Sequence, residues 1–254
     1  KGLFQLNYQL EKLQNPEKIQ LGKPSKISGA ISFNSLCLAI DAQKKIEGNL
    51  ITLPLSKEWV IKSGVKNFRG HTEELAKSYG KNTTMMMFGP TMKVIVLTTH
   101  IPLMKVVSEI KKVKIQSVIH SIKNFKLFQN PKVAICSINP HAGEDGKIGK
   151  EEKTILSKII KQFRKEGMNI TEPIPADSLF QKEIRKNFDL ILACYHDQGL
   201  IPFKSIEGKK GVNLTLGLDF LRVSPDHGTA FDIAGKGLAD PTSFQECLKI
   251  AALN

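Results

Sequence analysis

Three of the six histidines stand directly behind apolar, strand-like runs. His100 follows Val94-Ile-Val-Leu-Thr-Thr, His141 follows Val133-Ala-Ile-Cys-Ser-Ile-Asn-Pro, and His196 follows Leu190-Ile-Leu-Ala-Cys-Tyr. Open α/β sheets bind ligands just outside the carboxyl ends of their strands. Imidazoles arriving there from three strands could share one metal ion, and three protein ligands with one open position is the arrangement of a catalytic zinc site. Taken singly, a histidine behind a strand is more often a hydrogen-bonded loop residue; three in the same context shift the balance toward a site, and position alone leaves both readings open.

Other dense segments carry complementary chemistry. Gly70-His-Thr-Glu73 puts an imidazole beside a hydroxyl, and its Thr–Glu part could also open a helix. In Asn139-Pro-His-Ala-Gly-Glu-Asp-Gly146, Pro140 and Gly143 force an irregular turn that would project His141 and Glu144 into a cleft. Tyr195-His-Asp-Gln-Gly199 sets Asp197 beside the third histidine, to orient it, carry a proton or form a turn. Lys204, Asn213 and Arg222 follow, a set that suits a phosphate or carboxylate. Asp226-His-Gly-Thr-Ala-Phe-Asp-Ile-Ala-Gly-Lys-Gly237 could present backbone N–H groups to phosphate oxygens where a helix-like turn begins. The chain has neither a G-x-G-x-x-G nor a Walker A loop, so a nucleotide would bind without the Rossmann fingerprint.

The elements that must position these groups alternate between apolar runs and amphipathic stretches, which predicts an α/β fold with a mixed, largely parallel sheet. Strands are predicted at Asn49–Leu55, Thr84–Phe88, Val94–Thr99, Val133–Ile138, Leu190–Tyr195 and Val212–Leu216. Helices are predicted at Ser35–Glu47, Pro102–Lys112 and Lys150–Glu166, the last with Ile155, Ile159, Ile160 and Phe163 at helical spacing and a stop at Gly167. The stretch Gly22-Lys-Pro-Ser-Lys-Ile-Ser-Gly29 reads as a loop. There is no internal repeat, and composition marks no domain boundary.

A length of 254 residues, 41% hydrophobic and 24% charged, is ordinary for a globular protein with a sizeable core. No apolar run is long enough to span a bilayer, and the first residues, Lys1-Gly-Leu-Phe-Gln-Leu-Asn-Tyr8, have no secretory leader pattern. The four cysteines form no C-x-x-C pair and read as small buried hydrophobes in a reducing compartment, with the cytoplasm as the expected location. A net charge of +13 raises nucleic-acid binding as an alternative. The lysines are dispersed along helix faces without an arginine-rich stripe, so a lysine-rich coding bias is the expected cause, with part of the charge available to steer an anionic substrate toward a cleft.

Together, Gly70-His-Thr-Glu, Thr99-His-Ile-Pro-Leu, Asn139-Pro-His-Ala-Gly-Glu, Tyr195-His-Asp-Gln-Gly-Leu, Gly211-Val-Asn-Leu-Thr-Leu-Gly-Leu and Asp226-His-Gly-Thr-Ala-Phe-Asp resemble the 4-hydroxythreonine-4-phosphate dehydrogenase family, in its order, from about Gly22 to the C-terminus. The Asp226–Gly237 stretch also resembles the cofactor loop of isopropylmalate and isocitrate dehydrogenases. The resemblance implies a two-domain fold of that type, with residues 1–40 and 200–254 in the first domain and 41–199 in the second. It implies NAD-dependent oxidation and decarboxylation of 4-phosphooxy-L-threonine to 3-amino-2-oxopropyl phosphate in vitamin B6 biosynthesis. Threonate or erythronate 4-phosphate is the alternative substrate. Carried over by motif, the metal ligands are His100, His141 and His196, with zinc favoured over cobalt or magnesium. Substrate contacts fall on His71, Thr72, Lys204, Asn213 and Arg222, and the cofactor loop on Gly228, Thr229 and Asp232. Lys57, in Thr52-Leu-Pro-Leu-Ser-Lys57, and Asp197 are the candidates for proton handling. A homodimer with its active site at the interface is implied, with neither nucleic acid nor membrane as partner. A zinc hydrolase using the same histidines is the competing enzyme reading. The family's leading glycine- and proline-containing strand–loop does not precede Lys1, so the chain is expected to begin inside a longer protein.

Overall fold

The computed structural model describes residues 19–46 and 48–253. Residues 1–18, which the first domain is expected to include, lie outside the described residues, as does Glu47 at the end of the first predicted helix. Eight strands form one mixed sheet. They are β1 (Leu50–Ile51), β2 (Thr84–Phe88), β3 (Lys93–Val96), β4 (Val133–Cys136), β5 (Ile170–Ile174), β6 (Leu190–Ala193), β7 (Val212–Leu216) and β8 (Arg222–Pro225). Their order is β1-β8-β7-β2-β3-β6-β4-β5. The pairs β1/β8, β3/β6, β4/β6 and β4/β5 are parallel, and β2/β3, β2/β7 and β7/β8 are antiparallel. Strands from the segments 41–199 and 200–254 thus share the sheet side by side.

Among the described residues the helices are α1 (Lys26–Ile46), α2 (Lys57–Lys62), α3 (His71–Tyr79), α4 (Val106–Ile110), α5 (Ile115–Lys123), α6 (Ser157–Lys165), α7 (Ala176–Leu179), α8 (Lys182–Arg185), α9 (His196–Glu207) and α10 (Thr242–Ala251). Side chains alternate across the sheet, so its two faces feed different cores. Ile95, Ile135, Leu192, Leu214 and Val223 pack with α5 and α6, through Ile119, Ile122, Ile160 and Phe163. Val94, Val96, Ala134, Ile191 and Ala193 pack with Phe203 of α9 on the other side. Every residue of β4 and β6 is buried, which is why both read as unbroken apolar runs. All four cysteines are free, and Cys136, Cys194 and Cys247 are buried as expected.

The structure departs from the predicted elements in instructive ways. Helix α1 starts nine residues before Ser35, inside the stretch read as a loop, because Ser25 and Ser28 cap each other: Ser28 N–H donates to Ser25 Oγ at 3.1 Å and Ser25 N–H to Ser28 Oγ at 2.9 Å. Strand β5 escaped the pattern because Glu172 and Pro173 interrupt it, which an edge position tolerates. Strand β8 escaped because it begins with an arginine. The segment 102–112 is broken into a 3₁₀ turn (Leu103–Lys105) and the short α4. The segment 150–166 opens with a π turn (Glu152–Leu156) before α6, and Gly167, at φ 77°, ends it as expected. Helices α3 and α9 begin at His71 and His196, so both imidazoles stand on first turns rather than in loops.

Candidate active site

Adjacent parallel strands β3, β6 and β4 end on the same edge of the sheet, and the three histidines leave from those ends. The ends are tied to one another. The Thr98 hydroxyl donates to the Cys194 carbonyl at 2.7 Å, joining the exit of β3 to that of β6. Gln198, in the first turn of α9, accepts from Cys194 N–H at 2.7 Å and donates through Nε2 to the Ser137 carbonyl at 2.7 Å, joining β6 to β4. Gly199 lets α9 lie this close: a Cβ there would meet Ala193 Cβ and Val94 Cγ1, each at 2.9 Å. The motifs around His196 and His100 were legible, but the tying role of Gln198 and Thr98 depends on strand pairing and was not.

The His100 and His196 rings stand 5.6 Å apart between centroids, tilted by 41°. Two imidazoles on one tetrahedral ion, at Zn–N of about 2.0–2.1 Å, hold their ring centres about 5 Å apart, so this pair fits a shared divalent metal. His196 Nδ1 lies 2.7 Å from Asp197 Oδ1, a contact that would fix the ring's tautomer and leave Nε2 for a ligand. His141 occupies the neighbouring strand exit in a left-handed turn. Among the described residues, no group of three His, Cys, Asp or Glu is drawn close enough to hold a metal ion.

Beside this edge opens a cavity of about 610 Å³, lined among others by Lys57, His71, Thr72, His100, Asn213, Arg222 and Gly228. Its floor follows from sheet register. Arg222 of β8 pairs with Thr215 of β7, and Asn213 with Ser224, so these four side chains share one face. Arg222 is buried, 3% exposed, and donates from Nε and Nη2 to Thr52 Oγ1 and from Nη1 to Thr215 Oγ1. These bonds use three of the five donors a guanidinium carries. Burial lowers its pKa to about 10, which still leaves it charged at neutral pH. Nearby, Asn213 Oδ1 is buried without a hydrogen-bond partner. Arg222 thus offers positive charge and two spare donors to an anion entering the cavity, and the Asn213 amide oxygen offers an acceptor to a ligand hydroxyl or ammonium.

The wall is made by the first turns of α2 and α3. Lys57 opens α2, and its Nζ would lie 3.3 Å from a Cβ built on Gly70, which places the ammonium against the start of α3. His71 opens α3; burial first, then the charges of Arg222 and Lys57, push its pKa from 6.5 down to about 4. Its imidazole is therefore neutral at physiological pH and can donate or accept without a charge of its own. Lys114 and Ser117, at the start of α5, also line the cavity and were not anticipated from the sequence.

Other expected residues lie outside this lining. Lys204 is exposed on α9 and pairs with Asp226 at 3.1 Å. The Asp226–Gly237 loop leaves β8 with Asp226 N–H on Ser243 Oγ at 3.1 Å. His227 and Gly228 reach the cavity, while Thr229 and the exposed Asp232 continue past it into a three-residue 3₁₀ turn, Phe231–Ile233. The helical start expected here is thus a single turn. His141, His196 and Asp197 also stand outside the lining, on the strand edge described above.

Known proteins resemble this chain over most of its length. The 4-hydroxythreonine-4-phosphate dehydrogenase of Sulfurihydrogenibium is 44% identical over 241 residues, covering 92% of this chain and 74% of the relative. The D-threonate 4-phosphate dehydrogenase of Cupriavidus necator is 40% identical, covering 93% and 73%. The crystal structure of 4-hydroxythreonine-4-phosphate dehydrogenase from Klebsiella pneumoniae superimposes with a TM-score of 0.82 at 33% identity, over 94% of this chain and 74% of that one. The family model described as pyridoxal phosphate biosynthetic protein PdxA matches residues 5–251, and the chain belongs to that family.

Proposed function

We propose that the protein is a dehydrogenase that oxidises and decarboxylates 4-phosphooxy-L-threonine to 3-amino-2-oxopropyl phosphate, with NAD as hydride acceptor, in vitamin B6 biosynthesis. The observation that carries this reading is the buried Arg222, hydrogen-bonded only to hydroxyls, facing a cavity with neutral His71, Lys57 and Asn213. A phosphorylated acid supplies the anionic oxygens such a floor lacks.

In this reading Arg222, Asn213, His71 and Thr72 hold the substrate's anionic groups, and Lys204 adds a cation from α9. His100, His196 and His141 hold a divalent metal, with zinc best suited to three imidazoles and cobalt or magnesium as alternatives. Such an ion, when bound, supplies Lewis-acid polarisation of the substrate's oxygens. Lys57, at the cavity wall, and Asp197, against His196, are the groups that take and return protons. Gly228, Thr229 and Asp232 contact NAD. The dispersed positive charge of the chain steers the anionic substrate toward the cleft.

A homodimer is supported by the surface beside His100: Leu103 is 70% and Met104 97% exposed, so two large apolar side chains stand in water one turn from a proposed ligand. A second subunit would cover them. No helix among the described residues is long and apolar enough to cross a membrane, and the cytoplasm is the proposed location.

The relative from Cupriavidus favours a second substrate, D-threonate 4-phosphate, because the cavity floor recognises phosphate and carboxylate alike. Metal-loaded protein with NAD and, in parallel, 4-phosphooxy-L-threonine, threonate 4-phosphate or erythronate 4-phosphate, read by NADH absorbance, tests these readings. Turnover abolished by chelator and favouring the threonine derivative supports the first assignment. Turnover with threonate or erythronate 4-phosphate alone changes the substrate, and silence with all three overturns the dehydrogenase reading.

A further inference from the structure

We infer that Glu152, acting through Asn139, is a positioning residue that holds His141 at the strand edge; this rests on the metal reading above. His141, Ala142, Gly143, Glu144 and Asp145 all have positive φ, between 43° and 80°, which makes a full left-handed turn. Four of the five carry a side chain, and each costs about 1–2 kcal/mol in that conformation. Strain of this kind persists only where the surroundings over-determine it.

Glu152 supplies that constraint. Its Oε1 accepts from Ile138 N–H at 2.9 Å and Asn139 N–H at 2.7 Å, and its Oε2 from Asn139 Nδ2 at 3.0 Å. Asn139 Nδ2 also donates to Glu151 Oε2 at 2.8 Å. The Glu152 residue is 7% exposed, so a carboxylate is kept in the interior by N–H groups from the two residues that lead into the turn. It also lies beneath the turn. A Cβ on Gly143 would come within 2.7 Å of Glu152 Oε2 and of the Gly149 carbonyl, so the backbone there can descend only as glycine. The carboxylate therefore holds the entrance of the turn by hydrogen bonds and packs closely beneath its midpoint at Gly143, with His141 between the two. The π turn of residues 152–156 begins at this same glutamate.

Glu152→Gln separates positioning from bulk stability. The variant keeps the volume, but an amide NH₂ then faces Asn139 Nδ2, and rotating either amide breaks a bond to Glu151 or to the backbone N–H pair. Cobalt(II) is titrated into wild type, E152Q and H141A, with affinity by chelator competition and ligand-field absorbance. Melting of the metal-free proteins and a crystal structure of metal-free E152Q complete the set. The expected result is an affinity loss of about tenfold or more in E152Q, an altered ligand-field spectrum, a near-native melting temperature, and residues 141–145 relaxed from positive φ. Wild-type affinity and spectrum in E152Q, alongside a clear loss in H141A, would overturn the inference. Wild-type cobalt binding by H141A would instead remove His141 from the metal site. The metal-free E152Q structure then decides alone: an unchanged left-handed turn overturns the role of Glu152, and a relaxed one upholds it. Should E152Q fail to fold, Asn139→Ala removes the same side-chain bond from the other side and is read by the same criteria.

Discussion

The Thr52 hydroxyl receives two N–H bonds from Arg222, at 3.1 Å from Nε and 2.5 Å from Nη2, across a separation of 170 residues. Thr52 leaves the edge strand β1 beside β8, with its N–H on the Val223 carbonyl at 3.0 Å. A hydroxyl can orient a guanidinium without neutralising it, so the charge stays available to a ligand. A carboxylate in that place would have spent it.

From this follows a split between stability and binding at Arg222. Removing an isolated buried charge is often neutral or stabilising, whereas losing a charge-assisted contact to an anion is costly. Arg222→Met should melt within a few degrees of wild type, or above it, while KM for the phosphorylated substrate rises by about 100-fold. Thr52→Val should do the reverse in stability, losing about 1–3 kcal/mol because guanidinium donors are left without an acceptor. Chemical denaturation and initial-rate kinetics on the two variants check this. A strongly destabilised Arg222→Met would show that the arginine serves the fold.

His71 sets a pH dependence whose sign is determined. Its folded pKa is about 4, against an ordinary 6.5, because burial and the neighbouring cations disfavour the imidazolium. Between those values the unfolded chain binds more protons, so this contribution is intact above pH 6.5 and is lost as pH falls toward 4. The full effect is on the order of 3 kcal/mol. Denaturation of wild type and His71→Gln across that range should show the difference shrinking as the variant escapes the penalty. A bound phosphorylated ligand should raise the His71 pKa, read by NMR titration of the ring. A ring that titrates near 6.5 in the free protein would contradict the buried, cation-flanked placement.

Gln198 should couple the fold to the metal. Gln198→Leu keeps the bulk but strips partners from Cys194 N–H and the Ser137 carbonyl. A loss of about 1–3 kcal/mol in unfolding free energy is expected for each group left unpaired. Metal affinity should fall by about tenfold as well, because the exits of β6 and β4 lose their common anchor. Isothermal titration with zinc and urea denaturation provide the two readings; unchanged zinc affinity would limit Gln198 to the fold.

The exposed pair Leu103 and Met104 predicts the assembly state. Met104→Glu puts a charge into any apolar interface covering that turn, so sedimentation should shift toward the monomer and turnover should fall with it. Circular dichroism should be unchanged. A variant that stays dimeric and active would move the interface elsewhere.

How much of this was legible varies by element. Strands β4 and β6 announce themselves because a parallel strand buried on both faces must be apolar throughout, and β3 shows the same run at Val94–Val96 behind a half-buried Lys93. The histidines behind them were therefore visible as a set at one edge. Helix α1 was half visible: its capping serines were in the sequence, but their reciprocity was obscured by the surrounding Pro and Gly.

Local pattern thus determined the α/β alternation, the apolar strands and the free cysteines, and singled out His100, His141, His196, Lys204 and Arg222 as candidates, whereas Lys57 entered with the family resemblance. Tertiary structure alone decided that β8, beginning with a charged residue, would lie inside the sheet, and that Thr52 and Thr215 would meet its arginine. It alone assigned Gln198 and Thr98 to join three strand ends, and Glu152 to a strained turn. The reason is physical. Burial of an apolar face is written in neighbouring residues, one period at a time, whereas a polar side chain finds its partner only when pairing register brings distant backbone to the same edge.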